Sequence, residues 1–258
     1  RGCPFPCTYC SARVLMTQYG QKIRYRSVDS TIEQIKMVVD RYDFNPSTNL
    51  VISDDLFSIN KKWLDDFLPR FEKEIGRPFI ANIRANVTSE EYFKKLGDAG
   101  CKFVLMSVES GNDYIRNEVM KRGISRQKVF DSFEWAHKAG VQTNANAIIG
   151  LPFETPEMVE DSIQTLAQLG ATEYGINIFY PYKGTALRKV CEDNGFMPDT
   201  LGLEANDLSS IRERRESILN LPTITKDQIL YYEQNWERLI VQQKTWKART
   251  NRKIRGAY

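Results

Sequence analysis

Histidine is nearly absent from this chain: His137 is the only one in 258 residues. A structural zinc site closes on four Cys or His ligands. Cys101 and Cys191 are isolated from the other three cysteines, and His137 sits in a helical stretch, so that closure has no evident fourth partner. Five cysteines is an odd number, and neither a secretory nor a membrane-spanning segment accompanies them. A secreted disulfide framework is therefore a poor reading. Free thiols without an export signal point to a reducing, anoxic cytoplasm. Net charge is also scarce, at +3, and it is unevenly placed. Lys244, Lys247, Arg249, Arg252, Lys253 and Arg255 supply six positive charges with no acid after Lys244, so the residues before them sum to −3. The body is mildly acidic, and the basic tail reads as a solvated end before it reads as a nucleic-acid or lipid contact.

What the chain does have is three cysteines in eight residues. Cys3, Cys7 and Cys10 form a Cys-x-x-x-Cys-x-x-Cys run in RGCPFPCTYC. Iron–sulfur clusters are usually held by four thiolates, so three in one short loop read as a [4Fe–4S] cube with one iron left open for a small ligand. A zinc site and unrelated thiols are the plainer alternatives. Gly2, Pro4 and Pro6 punctuate a loop that must turn sharply for three sulfurs to converge, and Phe5 and Tyr9 can shield a cluster from solvent, which tunes its potential. Cys101 and Cys191 read as buried small hydrophobes.

With 41% hydrophobic residues, the chain can bury the core of one α/β domain. Its pattern alternates helix and strand. Ser30 and Glu33 make a capping box before a helix to about Tyr42, and Leu50 to Ser53 is an apolar strand. Asn60 begins a helix with Trp63, Phe67, Leu68 and Phe71 on one face. Phe79 to Arg84 is the next strand, and Thr88 with Glu91 is a second capping box. Strands follow at Phe103 to Val108, Val141 to Ile149 and Tyr174 to Tyr180. Helical patterns lie between them, at Asp113 to Ala139 with a break near Gly123, and from Thr155-Pro156 onward. Repeated βα units mean a parallel sheet. Beyond about Met197 this rhythm stops, and two helices are expected, near Asp207 to Asn220 and from Thr225 to about Trp246. Thr225 and Gln228 form a capping box there, and Ile229, Tyr232, Trp236, Leu239 and Ile240 form an apolar stripe.

The loop resembles the cluster motif of the radical S-adenosylmethionine (SAM) enzymes, and RGCPFPCTYCSAR followed by RYRSVDSTIEQI is most similar to their cobalamin-associated branch. The resemblance implies Cys3, Cys7 and Cys10 as metal ligands, SAM on the open iron, and reductive cleavage to a 5′-deoxyadenosyl radical. It implies an α/β fold, a partial (β/α)6 TIM-like barrel with its first strand truncated, over residues 1–200. A helical C-terminal extension with a basic tail occupies residues 201–258. Because residue 1 already lies in the cluster loop, a first strand and a Rossmann-like cobalamin domain are expected upstream.

The same resemblance places cofactor contacts at strand ends, where barrel sites lie. Tyr9 borders the cluster, and Asp54 and Asp55 match the segment that meets the SAM amine. Glu109, in Glu109-Ser110-Gly111, matches the element near the ribose and methionyl group, and Arg122 falls near the SAM carboxylate. Asn146 and Ile148 belong to the adenine-flanking segment, where Asn146 and Phe153 replace glycines of the family pattern. Pro181 to Leu187 resembles the turn after the last barrel strand. Trp135 stands where the Asp of a D-x-H-x-x-G cobalamin signature would be, so His137 carries no corrin motif. The implied activity is methyl transfer to, or rearrangement of, an unactivated carbon in a small-molecule or biosynthetic-intermediate substrate. Electrons would come from a flavodoxin or ferredoxin. A cobalamin-free enzyme such as a methylthiotransferase-like RNA modifier, and a non-catalytic iron–sulfur electron-transfer module, are the alternatives.

Overall fold

A computed structural model describes residues 2–20, 22–42, 45–57, 59–198 and 216–255, with side chains as far as 244 in the last helix. Five parallel strands, β1 (Leu50–Ile52), β2 (Phe79–Asn82), β3 (Cys101–Leu105), β4 (Gln142–Ile149) and β5 (Glu173–Ile178), lie in the sheet in the same order as in the chain. Each strand pairs with the one that follows it, from Leu50 opposite Phe79 to Ile149 opposite Ile178. Helices α1 (Ser11–Tyr19) and α2 (Val28–Tyr42) precede the sheet, α3 (Lys61–Glu74), α4 (Glu90–Asp98), α5 (Arg126–Lys138) and α6 (Pro156–Leu169) cross between its strands, and α7 (Ala186–Asp193) and α8 (Lys226–Arg255) follow it. A singly wound parallel wall with helical crossovers is the α/β architecture of a partial TIM-type barrel.

Local sequence explains the elements. Asn60 caps α3 by accepting from the Trp63 amide at 3.1 Å. That helix buries Leu64, Phe67, Leu68 and Phe71, with Phe71 edge-on to Phe79 of β2. Each such side chain contributes about 1.5–3 kcal/mol when fully buried. At α8 the capping box forms in both directions, Thr225 N to Gln228 Oε1 at 2.9 Å and Gln228 N to Thr225 Oγ1 at 3.2 Å. The apolar stripe of α8 packs on α6 and β5, and Ile229 reaches the core beneath Gly150.

Three expectations shift. Helix α2 begins at Val28, and its cap is Ser27, whose Oγ accepts from the Ser30 amide at 3.2 Å. Ser89 caps α4, because the Thr88 hydroxyl is committed to Ala85 O at 2.8 Å in the short 3-10 turn Ala85–Val87. Strand β3 starts directly after the Gly100 turn and ends at Leu105, two to three residues earlier than the apolar run indicates. Of the helix expected near Asp207 to Asn220, residues 207–215 lie outside the described residues, and 216–220 are not helical. In the basic tail, Lys244 sits over Tyr174, its Nζ 4.3 Å from the ring centroid. The side chains of Lys247, Arg249, Arg252, Lys253 and Arg255 lie outside the described residues.

Candidate active site

The three-thiol loop is tied down at both ends before α1 begins. Thr8 donates its amide to Met120 O at 3.1 Å and its hydroxyl to Val119 O at 2.7 Å, and its carbonyl accepts from Leu187 N at 2.9 Å. The Pro181 to Leu187 turn therefore docks on the thiol loop. The Cys3 amide donates to Met16 Sδ at 3.1 Å. All three thiols are free and open on one cavity of about 300 Å³ at the C-terminal ends of β2, β3 and β4. Burial pushes the Cys3 and Cys10 thiols up, against backbone hydrogen bonds at Phe5 and Ala12 that pull them down. Among the described residues no three His, Cys, Asp or Glu side chains are arranged to hold one metal ion. The three thiols line one cavity, and this soft donor set is the one iron–sulfur clusters use.

Opposite the thiols stands a buried ion pair. Glu109 is 8% exposed and Arg122 7%. Arg122 Nη1 donates to Glu109 Oε1 at 3.1 Å and to Tyr9 Oη at 2.8 Å, Tyr9 Oη donates to the same carboxylate oxygen at 2.9 Å, and Arg122 Nη2 donates to Ser107 O at 2.8 Å. Burial alone would depress the Arg122 guanidinium; the facing Glu109, Tyr9 and Cys7 raise it instead. Burial and the Glu109 charge push the Tyr9 phenol well above its ordinary range. Charge-assisted bonds of this kind are about twice as strong as neutral ones.

Backbone geometry aims Glu109 into the cavity. Its φ is +68°, the left-handed region, in a residue that has a Cβ. The peptide is held there by β4: Glu109 N donates to Asn146 O at 3.0 Å and Ile148 N donates to Glu109 O at 2.7 Å. Asn146 lines the same cavity, and Gly175 on β5 makes room for its side chain, since a Cβ there would lie 2.4 Å from Asn146 Oδ1.

The cavity thus gathers Cys3, Cys7, Cys10, Tyr9, Asp55, Glu109, Arg122 and Asn146. Asp54 and Ile148 are not brought to it. Asp54 lines a neighbouring cavity of about 450 Å³, while its carbonyl accepts from Asn82 Nδ2 at 3.0 Å. Ile148 packs with Tyr9 and Phe153 against an apolar cluster that contains Ile115, Met120 and Leu151.

Three more charged residues lie at or near the site: Arg84 and Arg116 carry no motif, and Glu154 ends the segment that resembles the adenine-flanking element. Arg84, two residues past β2, lines the cavity and donates to Cys7 Sγ. Arg116 is fully buried and donates to Ser110 O at 2.9 Å and Ile124 O at 3.0 Å, so it joins the two ends of the segment bearing Glu109 and Arg122. Glu154 is fully buried, and one of its oxygens caps the amides of Gly150 and Leu151 at 2.6 and 3.2 Å.

Residues 1–166 match the family model described as the radical SAM superfamily. The chain is 32% identical over 188 residues to an uncharacterized methyltransferase of Pyrococcus horikoshii, covering 72% of this chain and 39% of that protein. It is 26% identical over 250 residues to the bacteriochlorophyllide d C-8(2)-methyltransferase of Chlorobaculum tepidum, covering 93% and 54%. In fold it is similar to the radical SAM methyltransferase TsrM of Kitasatospora setae with cobalamin and a [4Fe-4S] cluster bound, at TM-score 0.66 and 16% identity over 91% of this chain and 45% of that one. The chain spans about half of these proteins or less. Because the family match runs unbroken from the three-thiol loop through β4 and into α6, more than half of its length, this chain belongs to the radical SAM superfamily of enzymes.

Proposed function

We propose that the chain is the catalytic core of a cobalamin-associated radical SAM enzyme that methylates an unactivated carbon of a small-molecule substrate. The observation that carries this reading is the single cavity shared by the three free thiols and the Tyr9–Glu109–Arg122 network. Cys3, Cys7 and Cys10 would hold the cluster, which when bound supplies the electron that cleaves SAM to a 5′-deoxyadenosyl radical. The protein's part is to bind, orient and exclude water, because the cofactors carry the hard chemistry.

Glu109 would accept hydroxyl or ammonium hydrogens of SAM. Both of its described protein donors meet Oε1, which leaves Oε2 to the ligand. Arg122 holds that carboxylate in place and keeps positive charge near the SAM carboxylate. Asp55 and Asn146 line the same cavity as the thiols; Asp55 would meet the SAM amine and Asn146 the adenine. Methylation rests on the names of the relatives, since both of the sequence relatives described above are named methyltransferases. His137 is committed to Thr143 Oγ1 at 3.2 Å and lowered by burial, so a corrin would be held by a segment outside these 258 residues. A flavodoxin or ferredoxin would donate electrons in an anoxic cytoplasm. No helix among the described residues is long and apolar enough to cross a membrane.

The test is product formation. Anaerobically reconstituted, reduced chain should convert SAM to 5′-deoxyadenosine and methionine, and a longer form of the protein should bind cobalamin in stoichiometric amount. A loaded cluster that yields no 5′-deoxyadenosine would favour an electron-transfer module. A longer form that loads its cluster but takes up no cobalamin would move the assignment to a cobalamin-free enzyme.

A further inference from the structure

Arg84 belongs to none of the motifs that define the site, yet every nitrogen of its guanidinium is engaged at it. The side chain leaves the chain two residues beyond β2 and is 7% exposed. Nη1 donates to Cys7 Sγ at 3.1 Å, Nη2 donates to the carbonyl of Arg122, and Nε donates to Asn86 Oδ1 at 2.8 Å. The guanidinium carbon lies 3.9 Å from the centroid of the Phe5 ring. A planar fork with five donors and a stacking face can make all four contacts at once; a lysine cannot. One buried cation thus touches the thiol loop twice, at Phe5 and Cys7, and the segment carrying Arg122 once.

We propose that Arg84 sets the reduction potential of the cluster that Cys3, Cys7 and Cys10 would hold, keeping it more positive than the thiolates alone would allow. The proposal rests on reading those cysteines as cluster ligands. Reduction adds one electron, taken from an external one-electron donor that is itself oxidised by one electron; no bond forms or breaks in the protein. The added negative charge spreads over iron and sulfur. A fixed guanidinium charge and an N–H···S bond at Cys7 stabilise it, and hydrogen bonds to sulfur, local charge and solvent exposure are what tune such clusters. Burial strengthens the effect, since a charge in a low-dielectric site is weakly screened. A merely structural tie between the loops would leave the potential where it is, and this separates the two roles.

The experiment is an EPR-monitored redox titration of the anaerobically reconstituted full chain, with dithionite as reductant. Arg84→Gln removes the charge and the bond to sulfur. A charge-assisted hydrogen bond of ordinary strength is worth about tenfold or more in an equilibrium constant. The variant's potential is therefore expected to fall by at least about 59 mV, that tenfold for one electron. Arg84→Lys keeps the charge and should fall by less. Arg70→Gln removes a cation on α3 paired with Glu74 of the same helix and Asp29 of α2 and should not shift the potential. A loaded Arg84→Gln protein with the wild-type potential overturns the proposal. If neither Arg84 variant takes up a cluster, Asn86→Ala decides, because it removes only the acceptor that holds Nε: a smaller shift of the same sign supports the proposal, and an unmoved potential overturns it. A wild-type chain that loads no [4Fe–4S] cluster would instead sink the reading of the thiols, and this inference with it.

Discussion

Glu109 carries two costs at one position, a left-handed backbone at φ +68° and a buried charge. Each cost of this kind runs to about 1–3 kcal/mol or more unless the surroundings compensate. Here β4 fixes the peptide and Arg122 meets the charge. Glu109→Ala should therefore lose SAM affinity by about ten- to a hundredfold, the worth of one charge-assisted acceptor. It should also lower thermal stability by about 3–5 kcal/mol by orphaning Arg122. Isothermal titration with SAM and thermal unfolding read the two effects separately. A second residue-scale expectation concerns Glu154, whose burial pushes it from an ordinary 4.5 up to about 8 despite the two amides that favour its anion. Between those values the native state holds a proton that the unfolded chain has released, so this group's contribution to stability falls as pH rises from about 4.5 to 8 and is flat above. Glu154→Gln mimics the protonated form and should remove that slope; melting curves that stay parallel from pH 5 to 9 would refute it. The thiols were legible because their spacing marks them, and Glu109 through the family resemblance that picks out its strand-end element. Arg84 and Arg116 were not, because nothing in the residues around a single arginine says which carbonyl or sulfur the fold brings to it.

The elements were legible wherever apolar period and a cap agreed, as at Asn60 with α3 and Thr225 with α8. They slipped where two hydroxyls competed, since Ser27 and Ser89 hold the caps that Ser30 and Thr88 also fit. The end of β3 slipped because regular pairing stops at Leu105 although Met106 and Val108 still donate to Asn144 O and Asn146 O of β4, and the chain then forms only an isolated bridge, Glu109 opposite Ala147. Phe153 shows the same tension. It stands where the family pattern has glycine and adopts φ +67°, with its ring edge-on to Phe196 at 5.7 Å. Gly111 needs its missing side chain for another reason: a Cβ would lie 2.4 Å from Asp161 O and 2.7 Å from Ser162 Cα in the backbone of α6. Gly111→Ala should cost about 1–3 kcal/mol or more, as overpacking does, and shift the adjoining Glu109. Thr225→Ala should cost only about 1 kcal/mol, the loss of one cap. Chemical denaturation of both variants tests that order, and a Gly111→Ala protein as stable as wild type would contradict the close approach.

At the scale of the whole molecule, five parallel strands in chain order bring residues as distant as Cys3 and Asn146 to one cavity. That convergence is what no local pattern could display. The parallel, barrel-like sheet was readable from the βα rhythm, and the site's membership beyond the three thiols was readable only through the family resemblance. Helix α8 adds a long cover on α6 and β5, which the apolar stripe foretold. The matched region spans 39% and 54% of two relatives, and on the proposed reading substrate choice and cobalamin would fall to a longer protein, whereas the cluster and SAM would be held by these 258 residues. The central claim, that three thiols and the facing carboxylate make one SAM-responsive iron–sulfur site, is tested most directly by EPR of the reconstituted, reduced chain before and after SAM is added. The expected result is about four irons per chain in one [4Fe–4S] cluster whose spectrum changes with SAM. The cluster should be lost in Cys3→Ala, Cys7→Ala and Cys10→Ala and kept in Cys101→Ala and Cys191→Ala. Stoichiometric zinc with no iron–sulfur absorption, or a full cluster whose spectrum SAM leaves unchanged, would contradict it.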